Sequence, residues 1–82
     1  MTVNQFKEDT ITNDLSFFYR DKEYFIFLLN DGYHVGQYDD ESNEKVFGKY
    51  KDIDKNFNDM IENWFIEDKL LKNIINEIKI NY

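Results

Sequence analysis

The residues able to do chemistry are few, and their spacing limits what they can do. His34 is the sole histidine, the only serines are Ser16 and Ser42, and cysteine is absent. An activated nucleophile needs a base within hydrogen-bond reach and a third group to orient that base. His34 falls in an expected strand beside Gly36, flanked by Tyr33 and Tyr38, and has no such company. It reads as a half-exposed strand residue available to a partner. Two Glu-x-Lys fragments, Glu67-Asp68-Lys69 and Glu77-Ile78-Lys79, spell part of a nuclease signature in which carboxylates hold a metal and a lysine polarises the attacking water. That chemistry wants a strand with a converging Asp, whereas the first fragment opens an expected helix and the second lies inside one.

The run Asp39-Asp40-Glu41-Ser42-Asn43-Glu44 offers oxygen ligands to a hard cation, but not at workable spacing. An EF-hand loop alternates its ligands and turns at a glycine, while adjacent carboxylates point apart. Gly32, Gly36 and Gly48 are isolated, so no phosphate-cradling loop exists. No catalytic residue, metal or cofactor is expected, and the chain reads as non-enzymatic. Gly36, inside a strand, marks a bulge or a close approach of another chain.

The elements that must hold these residues belong to a single domain of 82 residues. Seventeen acidic against ten basic side chains give a net charge of −7. An acidic chain argues against direct binding to nucleic acid or an anionic membrane, both of which depend on Lys and Arg. It favours a basic partner, or no charged partner at all. Without cysteine the core must hold the fold unaided, and no apolar run approaches the roughly 20 residues that span a bilayer. The N-terminus lacks a basic region followed by an apolar one. With no Pro and no Ala but many Asn, Lys, Ile and Asp, the composition suits an AT-rich bacterial or phage genome and a protein of the bacterial cytoplasm.

Thr2 and Gln5 make a capping box for a short helix to about Thr12, with Val3, Phe6, Lys7 and Thr10 on one face. From Leu15 the texture becomes a β-meander. Asp31-Gly32 reads as a two-residue type I′ turn, which pairs residues 30 with 33, 28 with 35 and 26 with 37. Tyr24, Ile26, Leu28, Tyr33 and Val35 then share one face, and Phe25, Phe27, Leu29, His34 and Tyr38 the other. Both faces are apolar or aromatic, so either helices cover both or the second face serves a dimer or a partner. After an acidic loop at 39–44, Lys45-Val46-Phe47-Gly48 forms a fourth edge strand. Ile53, Phe57, Met60, Ile61 and Trp64 then stripe a helix opened by Asp52 or Asp54, and Leu70, Leu71, Ile74, Ile75 and Ile78 stripe a second one to about Lys79. The expectation is an α+β fold: a short N-terminal helix, a three- or four-stranded antiparallel meander, and two C-terminal helices packed on the sheet.

Five carboxylates, Asp31, Asp39, Asp40, Glu41 and Glu44, fall within 14 residues around the hairpin tips, interleaved with Tyr33 and Tyr38. Carboxylates spaced on a rigid sheet can imitate the phosphates of a duplex. Complementary charge speeds the encounter with a basic groove, and tyrosines supply desolvated anchors.

In this layout of helix, meander with acidic loops and closing helices, the chain resembles the small acidic anti-CRISPR inhibitors of Cas9 carried by phages of Gram-positive bacteria. The resemblance covers nearly the whole chain in organisation. It implies that Asp31, Asp39, Asp40, Glu41 and Glu44 would occupy the Cas site that recognises the target-adjacent motif and so block DNA entry. The stretch from Phe47 to Ile78, with Asp52-Ile-Asp, Phe57, Met60-Ile61 and Trp64-Phe-Ile-Glu-Asp-Lys-Leu-Leu-Lys-Asn-Ile-Ile, is similar to the tail of short uncharacterised Firmicutes proteins. The leading expectation is an inhibitor of a basic nucleic-acid-handling protein such as a CRISPR effector. An immunity or antitoxin protein that neutralises a basic toxin nuclease, and a structural or regulatory homodimer, are the alternatives.

Overall fold

In the computed structural model, which describes residues 1–81, Thr2 caps helix α1 (Val3–Thr12). Its hydroxyl accepts from the Gln5 N–H at 3.1 Å, and the Gln5 side chain accepts from the Thr2 N–H at 2.8 Å. The capping box satisfies two N–H groups that a helix leaves without partners. Strands β1 (Leu15–Tyr19), β2 (Lys22–Leu29), β3 (Gly32–Gln37) and β4 (Asp40–Phe47) follow as consecutive antiparallel hairpins. Helix α2 (Ile53–Asn63) carries Phe57, Met60 and Ile61 buried, with Trp64 buried just past its end. A small hairpin, β5 (Phe65–Ile66) and β6 (Lys69–Leu70), leads into the single turn of α3 (Leu71–Ile74).

The chain then returns to the sheet. β7 (Lys79–Asn81) pairs antiparallel with β1, giving five strands in the order β4-β3-β2-β1-β7. The fold is α+β as the sequence indicates, but the sheet has one strand more than expected. The second C-terminal helix also shrinks to one turn. Leu71, Ile74, Ile75 and Ile78 are all buried nonetheless. Helical spacing marked which side chains go inside, while the alternation Ile78-Lys79-Ile80-Asn81 let the tail end as an edge strand.

The β2–β3 turn also differs. Leu29 pairs with Gly32 and Leu28 with Tyr33, so the turn residues are Asn30 and Asp31 rather than Asp31 and Gly32. Gly32, at φ +126°, sits where a Cβ would come within 2.6 Å of the Phe47 carbonyl oxygen and 2.7 Å of the Gly48 carbonyl oxygen. Close approach to the end of β4 claims the glycine for the strand. The partner of each residue shifts by two, and a shift of two returns every side chain to the same face. Tyr24, Ile26, Tyr33 and Val35 are accordingly buried, with Leu28 packed against them.

That face is the one the helices cover. Phe6 of α1 meets Phe57 of α2 at 6.0 Å between ring centroids, and Trp64 lies edge-on to both Phe17 and Tyr24. Lys7 and Asp54 bridge the two helices. The link from β4 to α2 is fixed by Asn56, whose side chain accepts from Tyr50 N–H at 2.9 Å and donates to the Tyr50 carbonyl at 3.0 Å. One contiguous core results, built on a single face of the sheet.

Candidate functional site

Among the described residues no helix packs against the opposite face. Because side chains alternate along a strand, Phe25, Phe27 and Leu29 of β2 project there, beside His34 of β3 and Val46 of β4, which are cross-strand partners. Phe25 and Phe27 stack with centroids 5.0 Å apart and planes 28° apart. Tyr38 tilts against Phe25 at 5.3 Å. Leu29, Phe18, Tyr38 and Val46 are 52%, 42%, 41% and 37% exposed. Phe25, packed between two rings, is buried. Phe25, Phe27, Leu29, His34, Tyr38 and Val46 floor a trough of about 600 Å³.

A bulge in β4 makes one wall. Val35 pairs with Lys45 and Gln37 with Asp40, so Gly36 alone stands opposite the four residues 41–44. The bulge folds over the aromatic face: the Glu44 Cγ would lie 3.2 Å from a Cβ on Gly36. The expectation for Gly36 was right in its first form. The expected acidic loop is therefore a bulged part of a strand that starts at Asp40, closed by a tight turn at Tyr38-Asp39 with Asp39 at φ +68°. Asp39, Glu41 and Glu44 line the trough, and Lys45 is the cation among them. Asp40 is occupied within the bulge, accepting from the Ser42 hydroxyl at 2.6 Å and the Asn43 amide at 2.5 Å.

Asp31 stands at the other end of β3. The His34 Nε2 lies 2.5 Å from its Oδ1. That hydrogen bond first, and the nearby charges of His34 and Lys49 after it, hold the Asp31 carboxyl below its usual 3.8. The five carboxylates thus form no single strip; four gather at the β3–β4 end and one lies about 20 Å away, since six strand residues rise roughly 3.4 Å each.

Tyr33, expected at the partner surface, is in the core. It is fully buried, and its hydroxyl shares a 2.8 Å hydrogen bond with Thr10, tying α1 to the sheet. Its burial follows from the face assignment that puts it beside Val35. Phe25, Phe27, Leu29 and Val46 complete the site in its place. For the first three, the unbroken apolar run along β2 was the signal, because a strand covered on one face alternates with polar residues.

Among the described residues no group of three metal-ligating side chains comes together. No helix among them is long and apolar enough to cross a membrane. No family model, curated protein or solved structure matched the chain in comparison.

Proposed function

We propose that the chain is a non-enzymatic binding protein that docks through the aromatic trough and its acidic rim on a basic nucleic-acid-handling protein and inhibits it. The observation that carries this reading is a desolvatable aromatic cluster, Phe25, Phe27 and Tyr38, bordered by Asp39, Glu41 and Glu44. Aromatic anchors at the centre of an interface supply most of its energy, and charges at the rim set partner choice and encounter rate. A partner that normally holds DNA phosphates would meet carboxylates instead. A CRISPR effector is the concrete candidate, and a toxin nuclease countered by an immunity protein is served by the same surface.

A homodimer is the second reading, favoured by the exposure of Phe18, Leu29 and Val46 on one face. Tagged protein passed over lysates that express a panel of Cas effectors and toxin nucleases separates the two. One basic nuclease retained at low salt, and released by salt, by competing DNA and by Glu41→Lys/Glu44→Lys, supports the inhibitor. An empty column with the protein eluting at twice its mass replaces it with the dimer.

A further inference from the structure

We infer that the trough receives one amphipathic α-helix of the partner, carrying an apolar stripe with Lys or Arg beside it. This rests on the docking reading of the same face and adds the form of the occupant. The floor is three strands wide, β2 to β4, which at roughly 4.8 Å per strand spacing is about 10 Å, the diameter of a helix with its side chains. From the β3–β4 turn to the β2–β3 turn the floor runs about 20 Å, the length of roughly 13 helical residues. Along it Phe27, Leu29, Tyr38 and Val46 project around His34, so the occupant must present an apolar stripe to cover them.

Strand addition is the competing mode, and the sheet edges oppose it. The β4 edge is broken by the bulge at 41–44 and carries Asp40, Glu41 and Glu44, while β7 offers three residues among those described. Bulges and charge are the means by which natural sheets block edge pairing. Charge fixes the flanks of the helix. Asp39, Glu41 and Glu44 outnumber Lys45 along the trough, in a chain of net charge −7, so cations belong on the helix beside its stripe, densest at the end over the bulge.

The test is a titration of the isotope-labelled full chain with three synthetic peptides of about 14 residues: a Leu/Lys amphipathic helix, its scramble of equal composition, and a Leu/Glu helix with the same stripe. The expected result is amide shifts confined to β2, β3 and β4 with the Leu/Lys helix. Binding should fall at least tenfold with the scramble, with the Leu/Glu helix, and with either Leu29→Asp or Phe27→Asp in the protein. Leu29 is half exposed, so its variant keeps the fold if the Phe27 variant does not. Equal binding of the scramble, shifts elsewhere, or no binding of the Leu/Lys helix overturns the inference. If no helix binds while a captured partner still depends on Phe27, the helix is wrong and the docking face stands. If capture ignores both Phe27 and Leu29, the docking reading itself fails. A protein that doubles in mass until Leu29→Asp is introduced gives the trough to a second copy.

Discussion

The Phe25 ring lies across Gly36, with its Cζ 2.8 Å from where a Cβ on Gly36 would stand. Gly36 has no positive φ to defend; what it provides is room, letting the ring stack on Phe27 and tilt against Tyr38. Gly36→Ala forces that ring outward. Losing one aromatic stack costs about 0.5 to 1.5 kcal/mol, and replacing a strand glycine by alanine returns roughly 0.5 to 1 kcal/mol. Denaturant midpoints should therefore move little. Near-UV circular dichroism and partner binding should change strongly, the latter by about tenfold. A large loss of stability with an unaltered aromatic spectrum would contradict this account of Gly36.

Two turns carry a strain that the sequence concealed. Arg20-Asp21 joins β1 to β2 with φ of 49° and 66°, and Glu67-Asp68 joins β5 to β6 with φ of 49° and 69°. Both have the positive φ pair of a type I′ turn, which glycine fits best at the second position. Glu67 also reaches across to Lys22 at 3.1 Å and Arg20 at 3.6 Å, linking the two turns. Asp21→Gly and Asp68→Gly should each stabilise the protein by about 0.5 to 1 kcal/mol, read from urea unfolding. Two destabilised variants would mean that the aspartates hold these turns through their side chains.

These turns also explain where sequence reading succeeded and where it did not. Asp31-Gly32 carries the better local signal for a type I′ turn, yet Gly32 is needed against the backbone of Phe47 and Gly48, and that contact is invisible in a local pattern. The faces survived because the register moved by two. The capping box at Thr2 and Gln5 and the stripe of α2 were legible because a few residues decide them. The tail was not: Leu71, Ile74 and Ile75 fit a helix and a one-turn connection equally well, and the edge of β1 decides between them only after the sheet exists. At the site, alternation identifies the aromatic face, but nearness in sequence to the carboxylates does not bring Tyr33 to it, because its pairing with Leu28 sets its place.

Tyr19 is buried with its ring under the Arg20 guanidinium at 5.1 Å. Its hydroxyl has no hydrogen-bond partner among the described residues. A buried polar group left unsatisfied costs about 1 to 3 kcal/mol. Tyr19→Phe removes the group and keeps the ring, so the variant should gain about 1 kcal/mol and melt roughly 4 to 8 °C higher. A loss of stability would mean that water or another group satisfies this hydroxyl in solution.

Alkaline pH should unfold the protein through two other tyrosines. Burial pushes the Tyr33 phenol above 10.0 against the opposing pull of its Thr10 hydrogen bond, and burial, aided by Glu67, pushes Tyr24 the same way. A phenol whose folded value is raised stays protonated while the unfolded chain ionises, so the unfolded state binds fewer protons and stability falls as pH rises. The contribution is intact below about pH 10 and is lost as pH climbs through the raised values. Urea midpoints should hold level up to about pH 9 and then drop, with tyrosinate absorbance appearing together with unfolding. Tyr33→Phe costs about 1 kcal/mol at neutral pH by deleting the bond to Thr10. Thr10 still donates to the Lys7 carbonyl at 2.7 Å and is not orphaned. The same variant should flatten the alkaline limb, because one of the two phenols no longer ionises. A midpoint that stays level through about pH 11 in the parent protein would show that both phenols titrate without unfolding.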